Sequence, residues 1–163
     1  MPILDAYIIL CHVNDEGLQF SEKESEKIAD IIKNYLLLGL SAEDIGILSP
    51  FRAQMVNIRQ AIKAEEKIEK VNRKKIVVDT IDKMQGQERE VIILSLASGN
   101  FNYMTEMGDF LYNSNKLNVA FSRAKSKLII VGNIIKLKQL DKSSFPLVHK
   151  ILESSKVQII NLK

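Results

Sequence analysis

The stretch VVDTIDKMQGQEREVIILSLASG, residues 77–99, places a polar segment between two apolar runs of strand character. The runs cover residues 76–78 and 91–96, and the segment between them is crowded with Asp, Gln, Lys and Glu. A plain connection between two strands would be shorter or richer in Gly and Pro. We therefore predict that the polar members of this segment project from the end of a core strand and form a site: Thr80, Asp82, Gln85, Gly86 and Glu88.

Apolar runs of the same kind recur along the whole chain. Each is short, continuous and rich in β-branched residues, which is typical of strands buried on both faces of a parallel sheet. They cover residues 6–11, 45–48, 76–81, 91–96, 128–131 and 157–160. Stretches with helical spacing lie between them, at residues 21–40, 51–70, 115–124 and 145–154. This alternation predicts a doubly wound α/β domain with a mostly parallel sheet.

Local signals place the ends of the first helix and one irregular segment. Ser21 and Glu24 have the spacing of a capping box, and Gly39 is a natural helix terminator. Residues 99–114, which join a strand to a helix and are rich in Asn and Gly, are the segment that we expect to be flexible.

Composition limits the classes of function. A chain of 163 residues fits one domain, and its net charge of +3 permits an anionic partner without requiring one. Cys11 lies in an apolar run and is predicted to be a buried, inert thiol, while His12 and His149 have too few companions for a metal site. The sequence has no apolar run of ~20 residues and no signal peptide, which favours a cytoplasmic protein.

Three polar clusters are candidates for one composite surface, because ligands of open α/β sheets bind beyond the carboxyl ends of the strands. They are SPFRAQ at 49–54, DTIDKMQGQE at 79–88 and NVAFSRAK at 118–125. None of the seven glycines is followed by Lys, so the chain has no G-x-x-x-x-G-K-[ST] phosphate loop of its own.

Each candidate also has a purely structural interpretation. Arg123 lies near a helix end, where the helix dipole favours a cation, but its planar fork also suits an arginine finger that stabilises a transferring phosphoryl group. Gly86 can provide a tight turn, and Gln85 can bond the backbone of its own loop. Ser49 fits the N-cap of a helix whose first turn contains Pro50, and a helix start there also favours a phosphate.

Taken together, the three polar clusters and the residues around them indicate one family of proteins. The ordered set IGILSPFRAQ (45–54), VVDTIDKMQGQEREVIILSL (77–96) and NKLNVAFSRAKSKLIIVGN (115–133) resembles motifs IV, V and VI of superfamily 1 helicases. The set is most similar to the branch that holds the nonsense-mediated-decay RNA helicase and the nuclease-helicase of Okazaki-fragment processing. The resemblance implies a RecA-like three-layer α/β/α domain, a P-loop NTPase fold that lacks its own phosphate loop.

The same resemblance implies the organisation of a longer motor protein. Residues 1–163 would be its C-terminal RecA-like domain, with 1–135 matched to the family and 136–163 forming a closing helix and strand. ATP and Mg²⁺ would be held mainly by the first RecA-like domain of the same full-length chain, and the substrate would be single-stranded DNA or RNA, with no membrane partner.

Site residues follow from the motif match. Arg123 is expected to be the catalytic arginine finger. The residues expected on the nucleotide side are Gln85, Gly86, Glu88, Arg52 and Gln54. The residues expected to face nucleic acid are Ser49, Pro50, Thr80 and Asp82. Some relatives carry an arginine directly after the motif IV glutamine, where this chain has Met55, so either Arg52 substitutes for it or Arg123 acts with less help.

Two other interpretations remain open at this point. One is a stand-alone nucleic-acid-binding module that has the helicase fold and no ATPase activity. The other is the sister branch of repair and recombination helicases, whose motif V typically reads KG or SQG and whose motif VI reads VA.TRA. The segments DKMQGQE and NVAFSRA favour the first branch.

Overall fold

The computed structural model describes residues 7–84 and 87–153, and the backbone of residues 157–161. Within these residues six strands form a single sheet in the order β3-β2-β4-β5-β1-β6, and every paired strand is parallel to its neighbour. The strands are β1 Tyr7–His12, β2 Ile45–Ser49, β3 Val77–Thr80, β4 Arg89–Ser95, β5 Ala124–Gly132 and β6 Val157–Asn161.

Helices cover both faces of the sheet. They are α1 Glu22–Leu37, α2 Arg52–Ala64, α3 Lys70–Lys75, α4 Phe101–Glu106, α5 Gly108–Leu111, α6 Ser114–Ser122, α7 Ile134–Lys138 and α8 Pro146–Leu152. Two short 3-10 helices, Ala42–Asp44 and Asp82–Met84, lie in the connections. Side chains of α1 and α2 pack in one core and those of α4 to α8 in the other. The predicted three-layer α/β/α fold with a parallel sheet is therefore confirmed.

Strand β4 shows why its sequence reads as a continuous apolar run. Val91 and Ile93 point into the core beneath α1 and α2, whereas Ile92 and Leu94 point into the core beneath α4 to α8. Successive side chains of a strand point to opposite faces of a sheet. When helices cover both faces, every position is buried, so apolar residues do not alternate with polar ones.

The structure modifies two local predictions and confirms a third. The helical stretch 51–70 divides into α2 and α3, and the turn between them buries Ile68 completely. Residues 99–114, expected to be flexible, contain the short helices α4 and α5. Gly39 follows the end of α1 with φ +98°, so its predicted role as a terminator is confirmed.

The connection between β3 and β4 is unusually short for parallel strands, so the expectation that a plain connection here would be shorter is wrong. Parallel crossovers normally need a dozen or more residues, yet residues 81–88 pass from one end of the sheet to the other and skip over β2. With a strand rise of about 3.3 Å and a strand spacing of about 4.8 Å, Thr80 and Arg89 lie about 22 Å apart. The connecting chain, with its 3-10 turn at a rise of about 2.0 Å per residue, reaches about 26 Å. The crossover therefore has little slack.

Candidate nucleotide and nucleic-acid interface

The predicted site residues lie at two opposite ends of the sheet. At the carboxyl end, Thr80 pairs with Ser49 in the register of β3 and β2. At the amino end, Arg89 pairs with Ala124 in the register of β4 and β5, directly after Glu88 and Arg123. The prediction of one composite surface is therefore wrong. Because α6 precedes β5 rather than following a strand, its last residues reach the amino end, about 20 Å from the carboxyl end.

Arg123 occupies the C-cap of α6 at the amino end of the sheet. Its carbonyl accepts a hydrogen bond of 2.9 Å from the N–H of Arg89, which ties the end of motif VI to the start of β4. Its side chain is half-buried, and its Nε is buried without a partner among the described residues. The guanidinium group is thus partly buried and has no hydrogen-bond acceptor among the residues that the structure describes.

A comparison of the five arginines singles out Arg123. Arg59, Arg73 and Arg89 each donate at least one guanidinium hydrogen bond to a backbone carbonyl. Within the described residues, the guanidinium groups of Arg52 and Arg123 donate none, and Arg52 is exposed to solvent. Among the arginines that the structure describes, Arg123 is therefore the one whose guanidinium group is partly buried and yet donates no hydrogen bond.

Local structure fixes the position of Arg123. Helix α6 starts at Asn113, whose Oδ1 accepts hydrogen bonds from the N–H groups of Asn115 and Lys116. Leu117, Ala120 and Phe121 form its buried face. The 3-10 helix Asp82–Met84 packs against α6, with Met84 completely buried. Motifs V and VI are consequently in direct contact.

The other motif V residues differ in their exposure to solvent and in their partners. Glu88 is exposed, and no ion pair joins its carboxylate to Arg123 in the part of the chain that the structure describes. Asp82 is exposed on the 3-10 helix, and Thr80 is half-buried, with its N–H donating to Oδ1 of Asp79 at 3.1 Å. Gln85 and Gly86 lie outside the described residues, so their roles stay predictions.

At the carboxyl end, the start of α2 differs from the expected cap. Ser49 is completely buried and its Oγ accepts a hydrogen bond of 3.3 Å from the N–H of Phe51. Phe51, not Ser49, is the N-cap of α2, and Pro50 precedes the helix instead of lying in its first turn. The predicted cap is wrong because Ser49 still belongs to β2. Arg52 is the first helical residue and projects to solvent.

Gln54 lies in a buried polar cluster that the sequence did not predict. Its Oε1 accepts from the N–H of Ser21 at 2.8 Å, and its Nε2 donates to the carbonyl of Ser21 at 3.2 Å. The same Nε2 lies 3.2 Å from Oγ of Ser25 and 2.9 Å from Oγ of Ser95. The prediction that Gln54 binds nucleotide is not supported, because its amide is fully buried, fully engaged and at the opposite end from Arg123.

Glu24 is the ionisable member of this cluster. Its Oε1 accepts from Oγ of Ser95 and from the N–H of Ala97, each at 2.9 Å. Burial raises the pKa of this carboxyl group to about 8. The predicted capping box is therefore half correct: Oγ of Ser21 accepts from the N–H of Glu24, but the carboxylate turns inward. The apolar neighbours of Glu24 at helical spacing were the available sign that this position is buried.

Other groups named from the sequence take structural positions. Cys11 is buried, and burial raises its pKa to about 11, as expected of an inert thiol. No group of three or more His, Cys, Asp or Glu side chains suited to a metal ion occurs in residues 7–84 and 87–153. Among the helices that the structure describes, none has the length and apolarity needed to cross a membrane.

The sequence signature of a family described as "AAA domain" matches residues 12–135, a range that contains all three motif segments. The chain belongs to this AAA domain family. The match covers the sheet from β2 to β5 and both ends at which the site residues lie.

Helicases are prominent among the relatives of this AAA domain. It is 37% identical over 132 residues to a putative helicase, mov-10-B.1, of Danio rerio, covering 73% of this chain and 13% of that protein. It is 34% identical over 118 residues to the DNA polymerase alpha-associated DNA helicase A of Saccharomyces cerevisiae, covering 72% and 16%. It is 32% identical over 142 residues to the DNA replication ATP-dependent helicase/nuclease DNA2 of Xenopus laevis, covering 81% and 13%.

These relatives confirm the resemblance to superfamily 1 helicases of the stated branch, and they make this an AAA domain of the helicase type. The chain spans only 13% to 16% of the length of the three relatives. A solved structure with the same fold is the C-terminal domain of a possible DNA helicase from Lactobacillus plantarum WCFS1. It aligns with a TM-score of 0.57 at 15% identity, over 95% of this chain and 84% of that one.

Proposed function

We propose that residues 1–163 are the C-terminal motor domain of an ATP-dependent DNA or RNA helicase. In this proposal the domain supplies the arginine finger and part of the nucleic-acid track, while ATP and Mg²⁺ are held mainly by a first RecA-like domain elsewhere in the full-length protein. The observation that carries the proposal is Arg123, the partly buried arginine whose guanidinium has no acceptor within the described residues.

The chemistry required of Arg123 is stabilisation of charge. A transferring γ-phosphoryl group spreads negative charge over its oxygens, and a guanidinium fork matches that geometry with two parallel N–H donors. Partial desolvation strengthens the interaction, and the tie between the carbonyl of Arg123 and the N–H of Arg89 fixes where the side chain begins. An arginine finger supplied across an interface is worth about 10³ to 10⁵ in turnover. We assign Glu88, at the same end, to the nucleotide side, and we propose nucleotide contacts for Gln85 and Gly86 from the motif match alone.

The carboxyl end of the sheet is assigned to nucleic acid. Thr80 ends β3 beside Ser49, and the Ser49–Pro50 turn brings the exposed cation Arg52 to the same edge. Hydroxyl groups, backbone N–H groups and arginine are the usual ligands of backbone phosphates. We place Thr80 and Pro50 on the track, with Ser49 shaping the turn from its buried position and Asp82 ordering the loop behind Thr80. Arg52, expected from the sequence on the nucleotide side, starts α2 at this end of the sheet, so we move its assignment to the track.

The short crossover links the two ends mechanically. It leaves the sheet at Thr80, packs its 3-10 turn against the Arg123 helix and re-enters at Arg89. With only about 4 Å of slack over about 22 Å, a displacement at one end that exceeds this slack is transmitted to the other end. Such coupling requires two cleft geometries that the nucleotide biases differently.

The test is the ATPase activity of the intact protein, measured with and without single-stranded DNA and RNA. Arg123→Ala should lower stimulated turnover by about 10³-fold or more, and Arg123→Lys, which keeps the charge but loses the fork, should recover little. Lys125→Ala, two residues further on and exposed, is the matched control and should keep wild-type activity.

Two results would contradict the proposal. Wild-type turnover by Arg123→Ala would remove the finger assignment. An intact wild-type protein that hydrolyses no ATP with either nucleic acid would favour the stand-alone binding module instead.

A further inference from the structure

A groove of about 520 Å³ lies beside the edge strand β3, between the second half of α2 and α3. Its floor is apolar and is formed by Ile62, Ile76 and Val78. Its walls are cationic throughout, consisting of Arg59, Lys63, Lys70, Arg73 and Lys74. No carboxylate from the described residues lines it, and none of the motif residues assigned above belongs to it.

The charge of the chain is concentrated around this groove. Residues 59–75 contain seven of the 23 basic residues and three of the 20 acidic ones, so this segment carries a formal charge of +4. The rest of the chain therefore carries −1. The modest net charge of +3 conceals a local basic surface, which is the electrostatic footprint expected where a polyanion binds.

None of the nearby acidic residues, including Glu66 and Glu69 of the same segment, is among the described residues that line the groove. Glu22, Glu26 and Glu65 line a separate cavity on another flank of α2. Lys75, outside the groove, pairs with Glu43 at 3.8 Å. The groove lysines form no ion pair or hydrogen bond with any residue that the structure describes.

The two arginines of the groove have a different role from the lysines. Nη2 of Arg59 donates to the carbonyl of Val78 at 2.6 Å, and Nη2 of Arg73 donates to the carbonyl of Glu65 at 3.1 Å. They hold β3 and α3 against α2. The ammonium groups of Lys63, Lys70 and Lys74 are therefore available to bind a ligand.

We propose that this groove binds the phosphate backbone of a nucleic-acid strand and extends the track beyond Thr80 along the outer edge of β3. The inference rests on the proposed helicase function for the identity of the polyanion. The groove floor includes Val78, which lies two residues before Thr80 in β3. A single nucleic-acid strand that contacts Thr80 can therefore continue into the groove along the same edge of the sheet. An apolar floor between cationic walls suits a sugar–base column flanked by phosphates.

The experiment measures binding of a fluorescent 20-mer of single-stranded DNA, and of the matching RNA, to the intact protein over a series of salt concentrations. The variant is Lys63→Gln/Lys70→Gln/Lys74→Gln, which leaves the two structural arginines in place. Each phosphate contact on a single strand contributes about 0.7 to the slope of log Kd against log salt. Loss of three contacts should therefore make the slope shallower by about 2 and weaken binding at low salt.

The control is Lys136→Gln/Lys138→Gln/Lys142→Gln, which removes the same charge from α7 and the turn after it, on the opposite face of the sheet. Its salt slope should match that of the wild type. Thermal unfolding of both variants verifies that the fold is intact.

A groove variant that is folded and keeps the wild-type slope overturns the inference. So does a groove variant that loses binding to phosphatidylserine vesicles but not to nucleic acid, because the surface would then serve a membrane. Failure of the helicase proposal itself is distinguishable, since it appears as absent nucleic-acid stimulation of ATPase in the wild type.

Discussion

Arg123 and Gln54 show that two polar side chains from the helicase motifs are used in opposite ways. The amide of Gln54 is completely buried and satisfied by Ser21, Ser25 and Ser95, so its role is to hold the starts of α1 and α2 against the end of β4. Arg123 is half-buried with a charge that nothing in the described structure balances. Because an unpaired charge away from water is costly, its environment favours an anion.

Glu24 gives a prediction about the pH dependence of stability. Its folded-state pKa of about 8 lies above the ordinary value of 4.5, so the folded protein holds a proton that the unfolded chain releases between these two values. The free energy of unfolding should therefore be unaffected by this group below about pH 4.5 and fall as pH rises toward 8. Glu24→Gln keeps the shape of the side chain and should flatten this decline, as measured by urea unfolding from pH 5 to pH 8.

Glu26→Gln is the matched control, because Glu26 is exposed on the same helix. It should leave the pH profile unchanged. A Glu24→Gln profile that falls as steeply as that of the wild type would show that another group controls the decline.

Among the elements, the crossover at residues 81–88 is the one whose length bears most directly on coupling. Inserting two glycines between Gln87 and Glu88 adds about 7 Å of contour and raises the slack between Thr80 and Arg89 from about 4 Å to about 11 Å. Because the insertion adjoins Glu88 on the nucleotide side, it should also lower basal ATPase activity in the intact protein. The expected sign of lost coupling is the ratio of the stimulated rate to the basal rate, which should fall toward one.

The same insertion between Lys142 and Ser143, in an exposed turn, controls for a general effect of added chain. It should preserve the stimulation ratio. Full stimulation of the crossover variant would mean that the two ends of the sheet communicate by another route.

The sequence predicted those elements whose burial requires a recognisable pattern of apolar residues. All six strands appeared as apolar runs, and α1 was marked by its cap and its helical spacing. The division between α2 and α3 was not readable, because Ile68 continues an apolar pattern while lying in a turn. The element order implied the end of the sheet at which motifs V and VI meet. A helix that precedes a parallel strand must end at the amino end of that strand.

At the scale of the whole molecule, the chain is expected to need a partner for catalysis. No glycine is followed by Lys, so it has no phosphate loop of the Walker type. The isolated 163-residue chain should therefore show no ATP hydrolysis with or without single-stranded DNA or RNA, in an assay where the intact protein is active. ATP hydrolysis by the purified 163-residue chain that is lost in its Arg123→Ala variant would contradict the expectation that a partner is needed for catalysis.

The position of β1 has a consequence for how the chain acquires its structure. The first strand lies between β5 and β6, and its partner residues Tyr7 and Lys127 are 120 positions apart. At a synthesis rate of about 5 to 20 residues per second, β1 leaves the ribosome about 6 to 24 s before its nearer partner exists. During that interval an apolar strand with both edges unpaired is exposed to other nascent chains. Residues 7–12 are therefore an expected site of chaperone capture during synthesis.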